Sequence, residues 1–215
     1  NAEFVAFESG RDVGVGLGVH VGVHTQADRG LFAQAHGHLA QHIEFGQGPF
    51  TGLATLIAEE LDADWSQMRA VHSPADDKVY ANLLFGLQGT GGSSSIANSY
   101  EQYRQAGATA RAMLVAAAAE EWGVPAAEIT VSKGRISHAA SGKESGFGAL
   151  ADRAARQSPP AEPTLKDPKD FVLIGHDMPK LDTLAKSTGK AIYTLDEGSI
   201  VLTDLDARIL YVNAA

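Results

Sequence analysis

The sequence predicts an α+β fold, a mixed sheet packed against two main helices, and three observations carry that prediction. Apolar residues recur at helical spacing in two segments, short strand-like segments punctuate the remainder, and 44% hydrophobic with 20% charged residues is enough apolar chain to bury a core. Near the N-terminus, Val13, Val15, Leu17, Val19, Val21 and Val23 alternate with Gly14, Gly16, Gly18, His20, Gly22 and His24. That is strand periodicity, although a face of glycine has no side chains with which to fix register. Residues 30–43, apolar at Leu31, Phe32, Ala35, Leu39 and Ile43, read as a short helix or a loop. Residues 44–50 form a loop, because Gly46, Gly48 and Pro49 deny both helix and strand continuation. A helix over 51–63 follows, with Thr51 as its cap and Leu53, Leu56, Ile57 and Leu61 on one face. A strand over 66–72 ends at Ser73-Pro74, and 82–95 is a loop rich in Gly, Ser and Thr.

The longest helix spans 96–122, with Tyr103, Ala106, Ala110, Met113, Leu114 and Ala117 on one side and Gly123 then Pro125 as its stop. Strands over 128–131 and 135–138 flank Lys133-Gly134, a hairpin signal, and Ser145 starts a short helix running to Arg156. Five of the eight prolines lie between Pro159 and Pro179, which makes this stretch an extended surface connection. Residues 190–195 and 199–212 read as strands, the latter a pair turning at 204–207.

Composition removes several kinds of function. Seventeen Lys and Arg against 26 Asp and Glu leave a net charge of −9, and no clustered basic run is visible, which argues against nucleic acid, so no nucleic-acid partner is expected. Zero cysteines exclude disulfides, thiolate metal sites, cysteine-ligated iron–sulfur clusters and Cys nucleophiles in this chain. No apolar run reaches the roughly 18 residues of a spanning helix, and the sequence opens at Asn1, not Met, without a basic-then-apolar signal segment, so a processed or cut chain is expected. His20, His24, His36, His38 and His42 fall within 23 positions. On a strand His20 and His24 stand about 13 Å apart, too far to share an ion whose bonds are near 2 Å, so packed or solvent-facing histidines are expected rather than a metal site. Gly14-x-Gly16-x-Gly18 lies inside the alternating pattern instead of between a strand and a helix, and no phosphate-loop, zinc-protease or nucleophile-elbow signature occurs. A hydrolase built on Ser93 has no identifiable base.

Two loops remain, 44–48 and 89–95. Backbone amides at glycine, the Gln47 carboxamide and the hydroxyls of Thr90, Ser93, Ser94 and Ser95 suit an anionic or oxo-rich ligand, and each loop precedes a helix whose N-terminus points toward it.

His42-x-Glu44-x-Gly46-Gln47-Gly48, followed by Thr51 and Ala58-Glu59-Glu60-Leu61-Asp62, resembles the start of the molybdenum-binding large (beta) subunit of isoquinoline 1-oxidoreductase-type aldehyde dehydrogenases, within the xanthine dehydrogenase family. Gly89-Thr90-Gly91-Gly92-Ser93-Ser94-Ser95 is similar to the family's next motif, and the likeness continues through Leu165-Lys166-Asp167-Pro168-Lys169-Asp170-Phe171 to about residue 196. The resemblance implies a fragment of a larger molybdopterin-binding domain. It has three parts: a segment 1–41 that lies outside the likeness, a molybdopterin-binding portion at 42–158, and the extended connection with terminal strands at 159–215. It also implies oxidative hydroxylation of aldehydes or N-heterocycles with water as oxygen source, and a molybdopterin cytosine dinucleotide as cofactor. Phe45, Gly46 and Gln47 then contact the pterin end and the metal's oxygen ligands, while Gly92, Ser93, Ser94 and Ser95 hold the phosphate end. Met usually stands in the family where this chain has Phe45.

The family's catalytic glutamate motif and its later glycine-rich loop do not appear, since Gly146-Phe147-Gly148 belongs to the expected short helix. The chain is therefore expected to be inactive alone, as a fragment, a split subunit or an assembly of unlike pieces. Residues 199–215 resemble the first strands of a PAS domain. The partners implied are the remainder of the large subunit, an iron–sulfur small subunit, a cytochrome and further copies of the chain, at a periplasmic or membrane-associated location. The alternative is a non-catalytic α+β scaffold or sensor-associated domain in which the glycine loops are only turns.

Overall fold

The structure, a computed structural model, describes residues 3–6, 21–24, 36–73, 77–191, 201–203 and 209–212. Four strands form one mixed sheet in the order β1 (Glu3–Ala6), β2 (Val21–His24), β3 (His36–Ala40), β4 (Met68–His72). The β1/β2 and β2/β3 pairs are antiparallel, whereas β3 and β4 run parallel, with His36 opposite Met68 and Ala40 opposite His72. A parallel pair needs a crossover, and helix α1 (Pro49–Leu61) supplies it. Helix α3 (Ser94–Trp122) packs along α1, while the four-residue α2 (Asp77–Tyr80) precedes the 81–93 loop. The expected α+β fold, a mixed sheet against two main helices, is the observed one.

The sequence expectation for 30–43 is corrected over its described part: residues 36–40 are strand, neither helix nor loop. His-Gly-His-Leu-Ala has little intrinsic strand character, and its conformation is set by backbone pairing on both sides, to β2 and to β4. Of the alternating Val/Gly/His stretch, β2 is described and the part before Val21 lies outside the described residues, as does His20. Helix α1 begins two residues before Thr51, with Gly48 as N-cap at φ 97° and Pro49 in its first turn. Proline is tolerated there because its missing N–H has no helical partner. Thr51 is therefore not the cap; its hydroxyl instead accepts a bond from the Leu181 amide at 3.2 Å.

The core lies where α1 and α3 cross over the sheet: Leu53, Ile57, Leu61, Tyr103 and Leu114 are fully buried, joined by Met68 from β4. Gly107 of α3 lies against the backbone of α1, where a Cβ would come 2.6 Å from the Ile57 carbonyl.

The 128–138 hairpin is as expected, β5 (Ile129–Ser132) and β6 (Arg135–His138), turning at Lys133 and Gly134, both with positive φ. The reading of Ser145 as a helix start is corrected. Ser145 lies in a third strand, β7 (Lys143–Gly146), and α4 begins only at Phe147 (Phe147–Ala154). Phe147 and Leu150 bury against the core, so the amphipathic turn starts at the first residue able to reach it.

The proline-rich segment is irregular as expected, but it is docked and does not merely cross the surface. It runs along α1 from that helix's C-terminal end toward its N-terminus, pinned by Glu60, Glu59 and Thr51 in turn. Glu59 Oε2 accepts three successive amides, from Val172, Leu173 and Ile174 at 2.9, 2.6 and 3.0 Å. Lys166 bridges Glu59 and Asp62, and Arg104 pairs with Glu60 at 2.7 Å between the rings of Tyr100 and Phe171. The segment ends in α5 (Thr183–Ser187). Lys190 and Ala191 are not in a strand, and 192–200 lies outside the described residues. The terminal hairpin β8 (Val201–Thr203) and β9 (Ile209–Val212) is antiparallel, in line with the strand pair read from 199–212.

Candidate functional site

The chain between β3 and α1 and the loop before α3 are tied to each other. His42, fully buried, donates from Nδ1 to the Gly89 carbonyl at 3.2 Å. Because a carbonyl only accepts, the proton is on Nδ1, and Nε2 accepts from the Ser99 hydroxyl at 2.8 Å. Burial pushes the His42 imidazole below its ordinary pKa of 6.5, only partly offset by the Gly89 carbonyl, so it is neutral at physiological pH. The Ile43 amide donates to Thr90 Oγ1 at 2.8 Å. Thus Thr90, read from the sequence as a ligand donor, is a tie between loops, and His42 is a packed histidine with a structural duty.

Within the first loop the dominant group is Glu44. Its carboxylate, 3% exposed, accepts the amides of Gly46 at 2.7 Å, Gly48 at 3.1 Å and Phe50 at 3.4 Å, and Lys186 Nζ lies 2.7 Å from Oε1. Burial alone would raise its pKa, but Lys186 and the three amides outweigh it and hold the carboxyl below the usual range. The amides that looked available to an anionic ligand at the start of α1 are therefore filled by the chain's own anion. Gly46 at φ 122° and Gly48 at φ 97° let the backbone wrap this carboxylate, in conformations that side chains disfavour.

What remains outward is the arc Phe45, Gly46, Gln47, all exposed. The Gln47 carboxamide folds back on the loop, accepting from the Phe45 amide at 2.8 Å and donating to the Ile43 carbonyl at 2.7 Å.

The second loop is built differently. Ser94 is buried, its hydroxyl donating to the Gly91 carbonyl at 2.7 Å and accepting from Asn82 Nδ2 at 2.8 Å, so it locks the turn. Gly91, Gly92 and Ser93 are exposed, and Ser95 is half-buried. Ser93 is the N-cap of α3 at φ 56° and no side chain caps that end, in contrast to the Glu44-filled start of α1. A Cβ on Gly91 or Gly92 would meet nothing within 4 Å. One turn along α3, Asn98 Nδ2 is buried with no acceptor among the described residues. An uncapped helix N-terminus with open space above two glycines is chemically suited to phosphate oxygens. Beside this loop Leu83, Leu84, Phe85 and Leu87 are exposed, an apolar face at the edge of the site.

Sequence reasoning missed Ser99, Asn82 and Lys186, and gave Glu44 no role. Glu44 carried a local signal, a carboxylate two and four residues before glycine amides and just ahead of an N1 proline. Lys186 lies 142 residues from Glu44 and carried none.

The description "molybdopterin cofactor-binding domain" fits residues 35–180 at the level of a whole-family comparison. Curated relatives are similar over part of their length. The chain is 35% identical to the beta chain of isoquinoline 1-oxidoreductase from Brevundimonas diminuta, over 72% of this chain and 24% of that protein. It is also 35% identical to a protein of Gluconacetobacter polyoxogenes named membrane-bound aldehyde dehydrogenase [pyrroloquinoline-quinone], over 71% of this chain and 20% of that one. It is 31% identical to a nicotinate dehydrogenase subunit from Pseudomonas putida, over 72% and 13% respectively. The chain thus spans a quarter or less of the length of these relatives.

Proposed function

The chain belongs to the molybdopterin cofactor-binding domain family, and we propose that it forms the cofactor-binding portion of a molybdenum hydroxylase subunit oxidising aldehydes or N-heterocycles with water as oxygen source. The observation that carries this reading is the joining of the two glycine loops through His42 to Gly89, His42 to Ser99 and Ile43 to Thr90. Single glycine loops are commonplace; two fixed side by side, one with its helix end filled and the other uncapped, provide one neutral arc and one anion-friendly end.

The residues present fit the family's cofactor. In this reading Gly92, Ser93 and Ser95 would hold its phosphate end at the start of α3, and Ser94 would serve by fixing the turn with its buried hydroxyl. Phe45, Gly46 and Gln47 would meet the pterin end. When bound, the group supplies transfer of a water-derived oxygen to an electrophilic carbon with uptake of two electrons. This chain's own part is to bind and orient. Neutral amides and hydroxyls hold oxygens without adding positive charge that would draw in unrelated anions. In this reading the chain's role is binding, and turnover would need the rest of the subunit.

We take the cofactor to be the cytosine dinucleotide form of molybdopterin, on the motif resemblance. The pyrroloquinoline quinone in one relative's name is not adopted, because the family match is to molybdopterin binding. The substrate classes follow the relatives' names, which are N-heterocycles and aldehydes. Two of those names denote subunits, which supports assembly with further protein: the remainder of a large subunit, an iron–sulfur small subunit and a cytochrome to carry electrons away, with self-association of the chain in addition. The exposed Leu83, Leu84, Phe85 and Leu87 would be covered in that assembly. A membrane-associated location is supported by the name of one relative and a periplasmic one by the motif resemblance alone; no described helix is long and apolar enough to cross a membrane.

The test is elemental and nucleotide analysis of the native complex, with the Gly92→Val variant alongside. Molybdenum and releasable cytidine monophosphate are expected in the wild type. A β-branched residue at φ 56° strains the turn, so Gly92→Val should lose most of the bound metal with its circular dichroism unchanged. A wild-type complex without molybdenum or pterin would sink the reading.

A further inference from the structure

We propose that Lys186 is a positioning residue for the 45–47 arc: from α5 it holds the Glu44 carboxylate inside the loop's amide nest and so sets the shape that the loop presents outward. What that shape is for rests on the cofactor reading above; the latch itself is argued from the following geometry.

The loop's conformation is not one the backbone adopts by default. Gly46 and Gly48 sit at φ 122° and 97°, and the Gly46, Gly48 and Phe50 amides converge on one carboxylate. Converging amide dipoles favour an anion and open without one. Glu44 provides it from within the chain, at 3% exposure, where a carboxylate must be compensated. Three amides supply part of the compensation, and the Lys186 ammonium, 2.7 Å from Oε1, is the only full positive charge paired with it among the described residues.

Lys186 is in turn fixed. Asp182, one turn earlier, lies 2.5 Å from Nζ, and the Leu181 amide is bonded to Thr51 Oγ1 on α1. The ammonium therefore stands between Asp182 and Glu44 on a segment already anchored to the helix that the loop begins. The structure contains its own comparison. Lys166 makes a similar bridge, to Glu59 and Asp62, at the other end of the same segment, and among the described residues its ion pairs include no residue of the 44–50 loop.

The experiment measures hydrogen exchange of the 44–50 and 172–174 peptides in the intact chain, for wild type and for Lys186→Met, Lys186→Arg, Glu44→Gln and Lys166→Met, with molybdenum content read in the native complex. Local opening free energies set these rates, so losing the latch should speed exchange in 44–50 about tenfold or more while 94–122 stays protected. Lys186→Arg, which restores the charge, should return the loop to wild-type rates. Glu44→Gln should open it as Lys186→Met does, and Lys166→Met should open 172–174 but not 44–50. Unchanged 44–50 exchange in Lys186→Met overturns the proposal, and so does equal loop opening in Lys166→Met, which would make Lys186 one more strap contact. Should Lys186→Met fail to fold, Glu44→Gln and Lys186→Arg decide by the same rates. Molybdenum content should fall in Lys186→Met and recover in Lys186→Arg. A wild-type complex lacking molybdopterin overturns the functional reading and leaves the exchange rates to decide the latch.

Discussion

Replacing Gly107 by alanine should destabilise the protein even though alanine is the better helix former. The added Cβ would lie 2.6 Å from the Ile57 carbonyl oxygen, 3.0 Å from Glu60 Cβ and 3.2 Å from Ile57 Cα. The first contact is about 0.8 Å short of ordinary van der Waals distance, and its partner is backbone, so relief requires α1 and α3 to separate. A radial gap of roughly that size forfeits about a quarter to a half of each contact across the interface that buries Leu53, Ile57, Leu61 and Leu114. Overpacking costs about 1–3 kcal/mol; with backbone as the clashing partner the upper part of that range, roughly 2–3 kcal/mol, applies, and removing a helical glycine returns about 1 kcal/mol, so the net loss should be on the order of 1–2 kcal/mol. At this chain length that is a fall in Tm of about 2–8 °C. Gly52→Ala is the matched control. Its Cβ would meet Ile96 Cδ1 at 2.7 Å, the far end of a partly exposed side chain that can rotate away. The same gain in propensity should leave Gly52→Ala neutral or up to about 1 kcal/mol more stable. Urea unfolding followed by circular dichroism measures both. Gly107→Ala as stable as wild type, or a shift matching that of Gly52→Ala, would refute the close-crossing account.

Glu59→Gln should cost about 3–5 kcal/mol in the same assay, because it strips the charge from a buried group serving three amides and Lys166 and sets an NH2 against donors. Ser94→Ala removes a buried bridge between Asn82 and Gly91 and should cost about 1–2 kcal/mol. Stability should also fall with acid in two windows. His42 titrates lower when folded than its ordinary 6.5, so the unfolded chain binds the extra proton first and stability present above about 6.5 declines below it. Glu44 and Glu59, both held below the ordinary 4.5, add stability that is present above 4.5 and is lost as pH falls under it. Urea midpoints from pH 8 to pH 3 check this, and a His42→Gln variant that keeps the upper step would count against the assignment.

Periodicity found α1 and α3 because each buries a stripe against the other, and the Lys133-Gly134 turn was found because only a few dipeptides accept two positive φ values. Strands β3 and β7 were missed for one reason. His36–Ala40 and Lys143–Gly146 have little alternation or β-branched character and are strands because neighbours pair with them. At the site, both loops and their adjacency to helix N-termini were legible from glycine and serine clusters. Their division of labour was not, because it depends on where a carboxylate turns. Glu44 folds back onto amides that the composition offered to a ligand, and Ser94 turns inward where Ser93 does not. The docked course of 164–187 was equally hidden: proline content signals an extended backbone but says nothing of the Glu59 and Glu60 side chains waiting on a helix a hundred residues earlier.

That separation has a consequence for how the molecule is made. Glu59 meets the amides of residues 172–174 across 113 to 115 positions, and Glu44 meets Lys186 across 142. At a synthesis rate of about 5–20 residues per second, α1 is made roughly 5–25 s before Lys166 and the amides that compensate Glu59 exist. In that interval Glu59 is without the partners that compensate it in the fold, whereas Glu60 already has Arg104 to meet it from α3. The seam along α1 is completed only when Lys166 and the amides after Phe171 arrive, so a helix made early is finished by residues made more than a hundred positions later.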